Sequence, residues 1–144
     1  MYNKIVIITD FNPKRRDIMK NYSRQREAIL SVLSNTKNHP TADWIYKETR
    51  KIIPNISLGT VYRNLGELRR SGVILSIDVG DGKEHFDYDT SPHLHLTCKE
   101  CGSIIDGKIG HDNPVASFGK DYGFSVETPV FVVYGYCKNC KNKN

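Results

Sequence analysis

The stretch SLGTVYRNLGELRRSGVILSIDVGDGKEHFDY, from Ser57 to Tyr88, changes its hydrophobic period midway. In its first part Leu58, Val61, Leu65 and Leu68 recur at steps of 3, 4 and 3, the spacing of one face of an α-helix. Ser57 is suited to cap that helix and Gly72 to stop it after Arg69, Arg70 and Ser71. Residues 73–79 and 84–88 then alternate as strands, joined by Gly80, Asp81 and Gly82. That composition is a hairpin signal. Two shorter helical patterns lie upstream. Ser23 can cap one, with Ile29, Val32 and Leu33 on its apolar face and an end near Ser34. Pro40 and Thr41 open the other, where Ala42, Ile45, Thr49 and Ile52 share a face and Pro54 closes. Three helices followed by a β-hairpin is the order of a winged helix.

The third helix turns Thr60, Arg63, Asn64, Glu67 and Arg70 away from its leucines, with Tyr62 on the flank. Arg can donate bidentately to guanine and Asn to adenine, and tyrosine offers apolar contact to a thymine methyl. Any solvated helix face carries similar residues, so the helix alone does not decide. Its surroundings do. Residues 1–83 hold 15 Lys and Arg against 8 Asp and Glu, net +7, whereas residues 84–144 hold 6 against 8, net −2. A basic half that contains this helix predicts double-stranded DNA as partner, with Thr60, Tyr62, Arg63 and Asn64 as contacts. Gly59 and Gly66 are costly inside a helix, and close approach to DNA or to a neighbouring helix would each explain them.

The four cysteines fall in two equal frames, Cys98-x-x-Cys101 and Cys137-x-x-Cys140, with the inner pair 36 positions apart. Two such frames are a signature of tetrahedral zinc. Gly102 follows the first knuckle and Gly135 precedes the second. Two disulfides are the competing reading, but nothing here looks secreted, and disulfides are rare in a reducing cytosol. With every thiol consumed, this zinc is expected to be a staple and not a catalyst.

Upstream lie His85, Asp87, His93 and His95, with Asp106 just past the first knuckle and His39 available to join them. Imidazole and carboxylate suit Fe²⁺, Mn²⁺ or Zn²⁺. His93, Leu94, His95 and Leu96 alternate as a strand does, so both imidazoles share a face. The remainder of this half reads as a small α/β module. Strands are expected over residues 94–98 and 103–106, a weaker helix over 113–122 and a β-rich stretch over 124–136. The uncharged run Val130–Tyr134 would invite aggregation as a bare edge, so it is expected to be covered or paired across a dimer. Such a module has little core of its own, which makes a metal staple reasonable.

The 144 residues thus divide into a winged-helix domain, 1–88, with residues 1–22 as an N-terminal extension, and a dimerisation and metal-binding domain, 89–144. The fold class is α+β. The longest apolar run near the start, Ile5 to Ile8, is too short for a signal peptide core or a membrane span. A soluble, cytoplasmic protein without membrane partner is expected.

Several motifs together resemble the ferric uptake regulator family: His39-Pro40-Thr41-Ala42, Gly59 through Leu65, His93 through Gly102, and the last C-x-x-C. The resemblance runs from about Ser23 to Cys140. It implies a homodimeric winged-helix repressor whose corepressor is a metal, with His39, Asp87, His93, His95 and Asp106 in one regulatory site. Iron-sensing members usually have Glu where this chain has Asp106, and peroxide-sensing members resemble it there and at Phe86-Asp87-Tyr88. A further metal site of many iron sensors is not expected, because Pro92 and Leu94 occupy its places. No spare cysteine exists for a zinc-sensing site. His85 departs from the pattern and could compete as a ligand.

The expected function is therefore peroxide-sensing repression. Zn²⁺ on the four cysteines is structural; Fe²⁺ or Mn²⁺ on the five His and Asp ligands is regulatory. His39 and His93 are the expected targets of iron-catalysed oxidation, and the operator is expected to be pseudo-palindromic. An iron- or manganese-responsive uptake regulator without peroxide sensing is the alternative within this class. A thiol redox switch would not need the histidines, and a zinc hydrolase would not need the basic helices. No enzymatic activity is expected.

Overall fold

The computed structural model describes residues 23–109, 119–126 and 129–142. The expected features over residues 1–22, and most of the helix expected over 113–122, lie outside them. The chain forms two compact units. One comprises the residues up to Asp78 together with Lys83–Thr90, and the other Val79–Gly82 with the residues from Ser91 onward. No helix among the described residues is long and apolar enough to cross a membrane.

The first unit holds α1 (Arg24–Ser34), α2 (Ala42–Arg50), α3 (Leu58–Arg70), β1 (Leu75–Asp78) and β2 (Glu84–Asp87). Ser23 caps α1 by accepting from the Arg26 amide, and Ser57 caps α3 by accepting from that of Thr60 at 3.1 Å. α3 ends in a Schellman motif. Gly72 takes φ 70°, its N–H reaches the Arg69 carbonyl, and the Val73 N–H reaches that of Leu68. The strands pair antiparallel, with Leu75 opposite Asp87 and Ile77 opposite His85.

Ile29, Leu33, Ile45, Val61, Leu65, Leu68, Ile74 and Phe86 form the core of this unit. Arg26 of α1 holds Glu67 of α3 at 2.6 Å, and Arg69 reaches Glu84 of β2 at 2.5 Å. Two expected core positions are exposed instead. Ile52 lies past the end of α2, where Ile53 turns inward in its place, and Leu58 sits on the first, half-open turn of α3.

The second unit is a three-stranded sheet in the order β4-β3-β5, built from β3 (Leu94–Cys98), β4 (Ile104–Gly107) and β5 (Phe131–Gly135). β4 runs antiparallel to β3 and β5 parallel to it. A short 3₁₀ turn, Lys120–Tyr122, is the described remnant of the expected helix. Alternation along β3 buries His95 and Thr97 and leaves Leu96 on the other face. Leu96 is in register with Ile105 on one side and Val133 on the other, so three apolar side chains line up there, each at least 39% exposed.

Candidate metal centres

The sheet itself assembles the thiol site. Pairing of Cys98 with Gly135 places Cys137 two residues beyond the end of β5, beside the first knuckle. Each knuckle is a tight turn: Gly102 N–H returns to the Cys98 carbonyl at 2.9 Å, and Cys140 N–H to that of Cys137 at 3.0 Å. Gly102 adopts φ 71°, which a side chain would oppose. All four cysteines are free thiols, and their Sγ atoms lie within 4.8 Å of one another. Four thiolates each about 2.3 Å from one zinc stand roughly 3.8 Å apart. Cys101 Sγ and Cys137 Sγ are 3.8 Å apart. The donor set therefore fits a structural zinc, and the four cysteines stand as free thiols rather than as two disulfides.

The charges agree with this fit. The amides of Cys101 and Cys137 hold the Cys98 thiol down at about 6, and the Cys137 N–H lies 3.3 Å from its sulfur. Ser103, 3.2 Å away, lowers Cys101. The crowded Cys137 thiol, followed by burial, pushes Cys140 up to about 12. Four sulfurs this close do not all ionise without a cation between them. A divalent ion supplies that charge.

The imidazoles and carboxylates form two groups, one in each unit. In the first, His39 precedes α2 and Asp87 ends β2, and His39 Nε2 lies 3.4 Å from Asp87 Oδ2. In the second, His93 immediately precedes β3 and His95 lies on it, with ring centroids 4.3 Å apart. Asp106 stands across the strand pair from His95, with Oδ1 3.4 Å from His93 Nε2. His39, His93 and His95 are buried, and Asp106 is on the surface.

Backbone acceptors choose the tautomers. His93 Nδ1 donates to the Ser91 carbonyl at 2.8 Å and His95 Nδ1 to that of Phe131 at 3.2 Å. In the neutral rings this leaves Nε2 as the lone-pair nitrogen, the arrangement a ligating histidine needs. A spacing of 3.4 Å is long for a charged hydrogen bond. Two donors each about 2.1 Å from one ion stand roughly 3.0–3.4 Å apart. Both groups therefore fit a divalent metal.

The residues expected to contact DNA divide differently. Tyr62 and Arg63 are exposed on α3, and Thr60 is half-buried with its hydroxyl 2.8 Å from that of Ser57. Asn64 does not face outward. It is 5% exposed and donates its amide to the Thr60 carbonyl at 2.8 Å. Three residues after Val61 and four before Leu68, it belongs to the packed face of the helix. Glu67, too, is engaged, by Arg26.

The ferric uptake regulator family model matches residues 19–131. The peroxide operon regulator of Bacillus subtilis (strain 168) is 41% identical over 120 residues, which cover 83% of each chain. The structure of the Campylobacter jejuni peroxide stress regulator has a TM-score of 0.72 and is 30% identical, with 88% of this chain and 96% of that one covered. That of the Helicobacter pylori ferric uptake regulator, described as having three functional metal-binding sites, has a TM-score of 0.72 at 26% identity, covering 88% of both.

Proposed function

The chain belongs to the ferric uptake regulator family of metal-dependent repressors, and from that premise we propose that it is a dimeric repressor sensing hydrogen peroxide. One observation carries the reading. Each unit supplies imidazole and carboxylate donors at 3.4 Å, with the rings of the second unit set by backbone carbonyls for ligation. His39, Asp87, His93, His95 and Asp106 hold one regulatory Fe²⁺ or Mn²⁺ between them. Zn²⁺ on Cys98, Cys101, Cys137 and Cys140 keeps the second unit folded.

Sharing one ion between ligands of both units selects one relative orientation of the two. Differential affinity for that orientation is what couples metal to DNA. Tyr62 and Arg63 then enter the major groove of a pseudo-palindromic operator, one α3 per half-site. The apolar row Ile105, Leu96 and Val133 supports pairing with a second copy. Identity to a named peroxide regulator supports the stimulus.

Bound Fe²⁺ supplies one-electron reduction of hydrogen peroxide, which Mn²⁺ does poorly. His39 and His93 are the side chains that would take up one oxygen atom from peroxide, which leaves as water, and an oxidised ring would be a poorer ligand. The two units then separate in orientation and DNA is released. Peptide mass spectrometry on full-length protein, loaded with iron or manganese and briefly exposed to micromolar peroxide, tests this. One added oxygen on His39 or His93 with iron only is expected. Unmodified histidines with retained metal would favour an iron- or manganese-responsive uptake regulator, and oxidised cysteines a thiol switch.

A further inference from the structure

His39 is the only non-glycine residue with positive φ among those described, at 48°. The left-handed region is costly for a residue bearing a Cβ, and a following proline disfavours helical backbone still further. Pro40 is that next residue. A conformation of this kind persists only where its surroundings over-determine it.

The surroundings here are β2. The Phe86 N–H donates to the Pro40 carbonyl at 3.0 Å, and Thr41 pairs with His85 as an isolated bridge. One contact is made by a side chain: His85 Nδ1 donates to the carbonyl of His39 itself at 2.7 Å. His85 and Asp87 alternate with the buried Phe86, so both leave β2 on the same side. The strand thus sets the His39–Asp87 pair from two directions, Asp87 at the ring and His85 at the peptide.

We propose that His85 is a positioning residue for the regulatory metal, fixing the peptide plane of His39 and so the aim of its imidazole. It acts through the carbonyl and not as a ligand. A backbone bond would serve any sequence at this point; the imidazole makes the hold depend on residue 85. The inference rests on His39 being a ligand, as proposed above.

The experiment titrates Mn²⁺ into full-length, zinc-loaded protein and records the visible spectrum of Co²⁺ in the same site. His85→Met and His85→Gln have similar length, but only Gln can donate to the His39 carbonyl. His85→Met is expected to weaken Mn²⁺ binding about 10–100-fold, to alter the Co²⁺ spectrum and to leave zinc content unchanged. His85→Gln is expected to recover most of the affinity and the spectrum. Wild-type affinity and spectrum in His85→Met would overturn the proposal, as would Gln proving as harmful as Met. Should His85→Met lose its zinc, His85→Ala supplies the donor-free comparison. A parallel His39→Ala protein separates the two readings. If it still binds Mn²⁺ as wild type does, the regulatory site is wrongly assigned; if it does not, the His85 variants judge positioning alone.

Discussion

Asp106 stands at the open side of its group, its carboxylate 3.4 Å from His93 Nε2 while the imidazoles of His93 and His95 are buried. Asp106→Glu adds one methylene to that arm and moves the carboxylate without removing its charge. The variant is expected to bind Mn²⁺ and DNA nearly as wild type does, yet to need more peroxide for release. A dose curve of release from DNA selected by the wild-type protein, with iron loaded, measures this; an unchanged curve removes Asp106 from the sensing set. The candidate ligands are legible in the sequence because His93 and His95 alternate on one strand and Asp87 and Asp106 close the neighbouring segments. The acceptors that choose their tautomers are not, since the carbonyls of Ser91 and Phe131 belong to the backbone and any residue would supply them. Asn64 shows the opposite failure. Its amide suggests a base contact, whereas its spacing from Val61 and Leu68 already assigns it to the packed face.

On α3 the groove reading and the folding role separate cleanly. Arg63 is exposed and lies outside the core. Arg63→Ala is expected to weaken specific DNA binding by about 1–3 kcal/mol if the guanidinium reads a base. Equal loss on cognate and random DNA, measured by fluorescence anisotropy, would make it a phosphate contact instead. Among the described residues, a Cβ added at Gly66 would meet only Arg70 Nη1 within 4 Å, at 3.7 Å. Gly66→Ala is therefore expected to raise stability by about 0.5–1 kcal/mol, read from the urea midpoint. A loss of stability would mean that the glycine serves packing after all. Helix limits are well marked in the sequence at Ser23, Ser57 and Gly72, where a cap chemistry exists to read. They are poorly marked at the end of α2, where Ile52 continues the apolar period after the helix has stopped at Arg50.

For the whole molecule, the fold class follows from periodicity and the zinc staple from the cysteine frames, but the sheet order does not. β3 and β5 are partners far apart in the chain, and alternation says nothing about which strands pair or in which direction. Cys98→Ser opens the closed thiol site, and since the staple supplements a small core, the second unit is expected to lose zinc and native packing. Zinc content by native mass spectrometry and assembly state by size-exclusion chromatography check this. A stable, zinc-free dimer would rule out the staple. The parallel pairing also has a consequence for biosynthesis. The partners of the first unit are all made once Thr90 has been translated, whereas Cys98 and Cys101 emerge without the strand that delivers their counterparts. The 36 positions to Cys137 take roughly 2–7 s at 5–20 residues per second. Throughout that interval the nascent chain offers a two-sulfur clamp to any thiophilic ion in the cell, copper(I) included. The identity of the staple is thus open to competition on the ribosome, before the second unit has its closing strand.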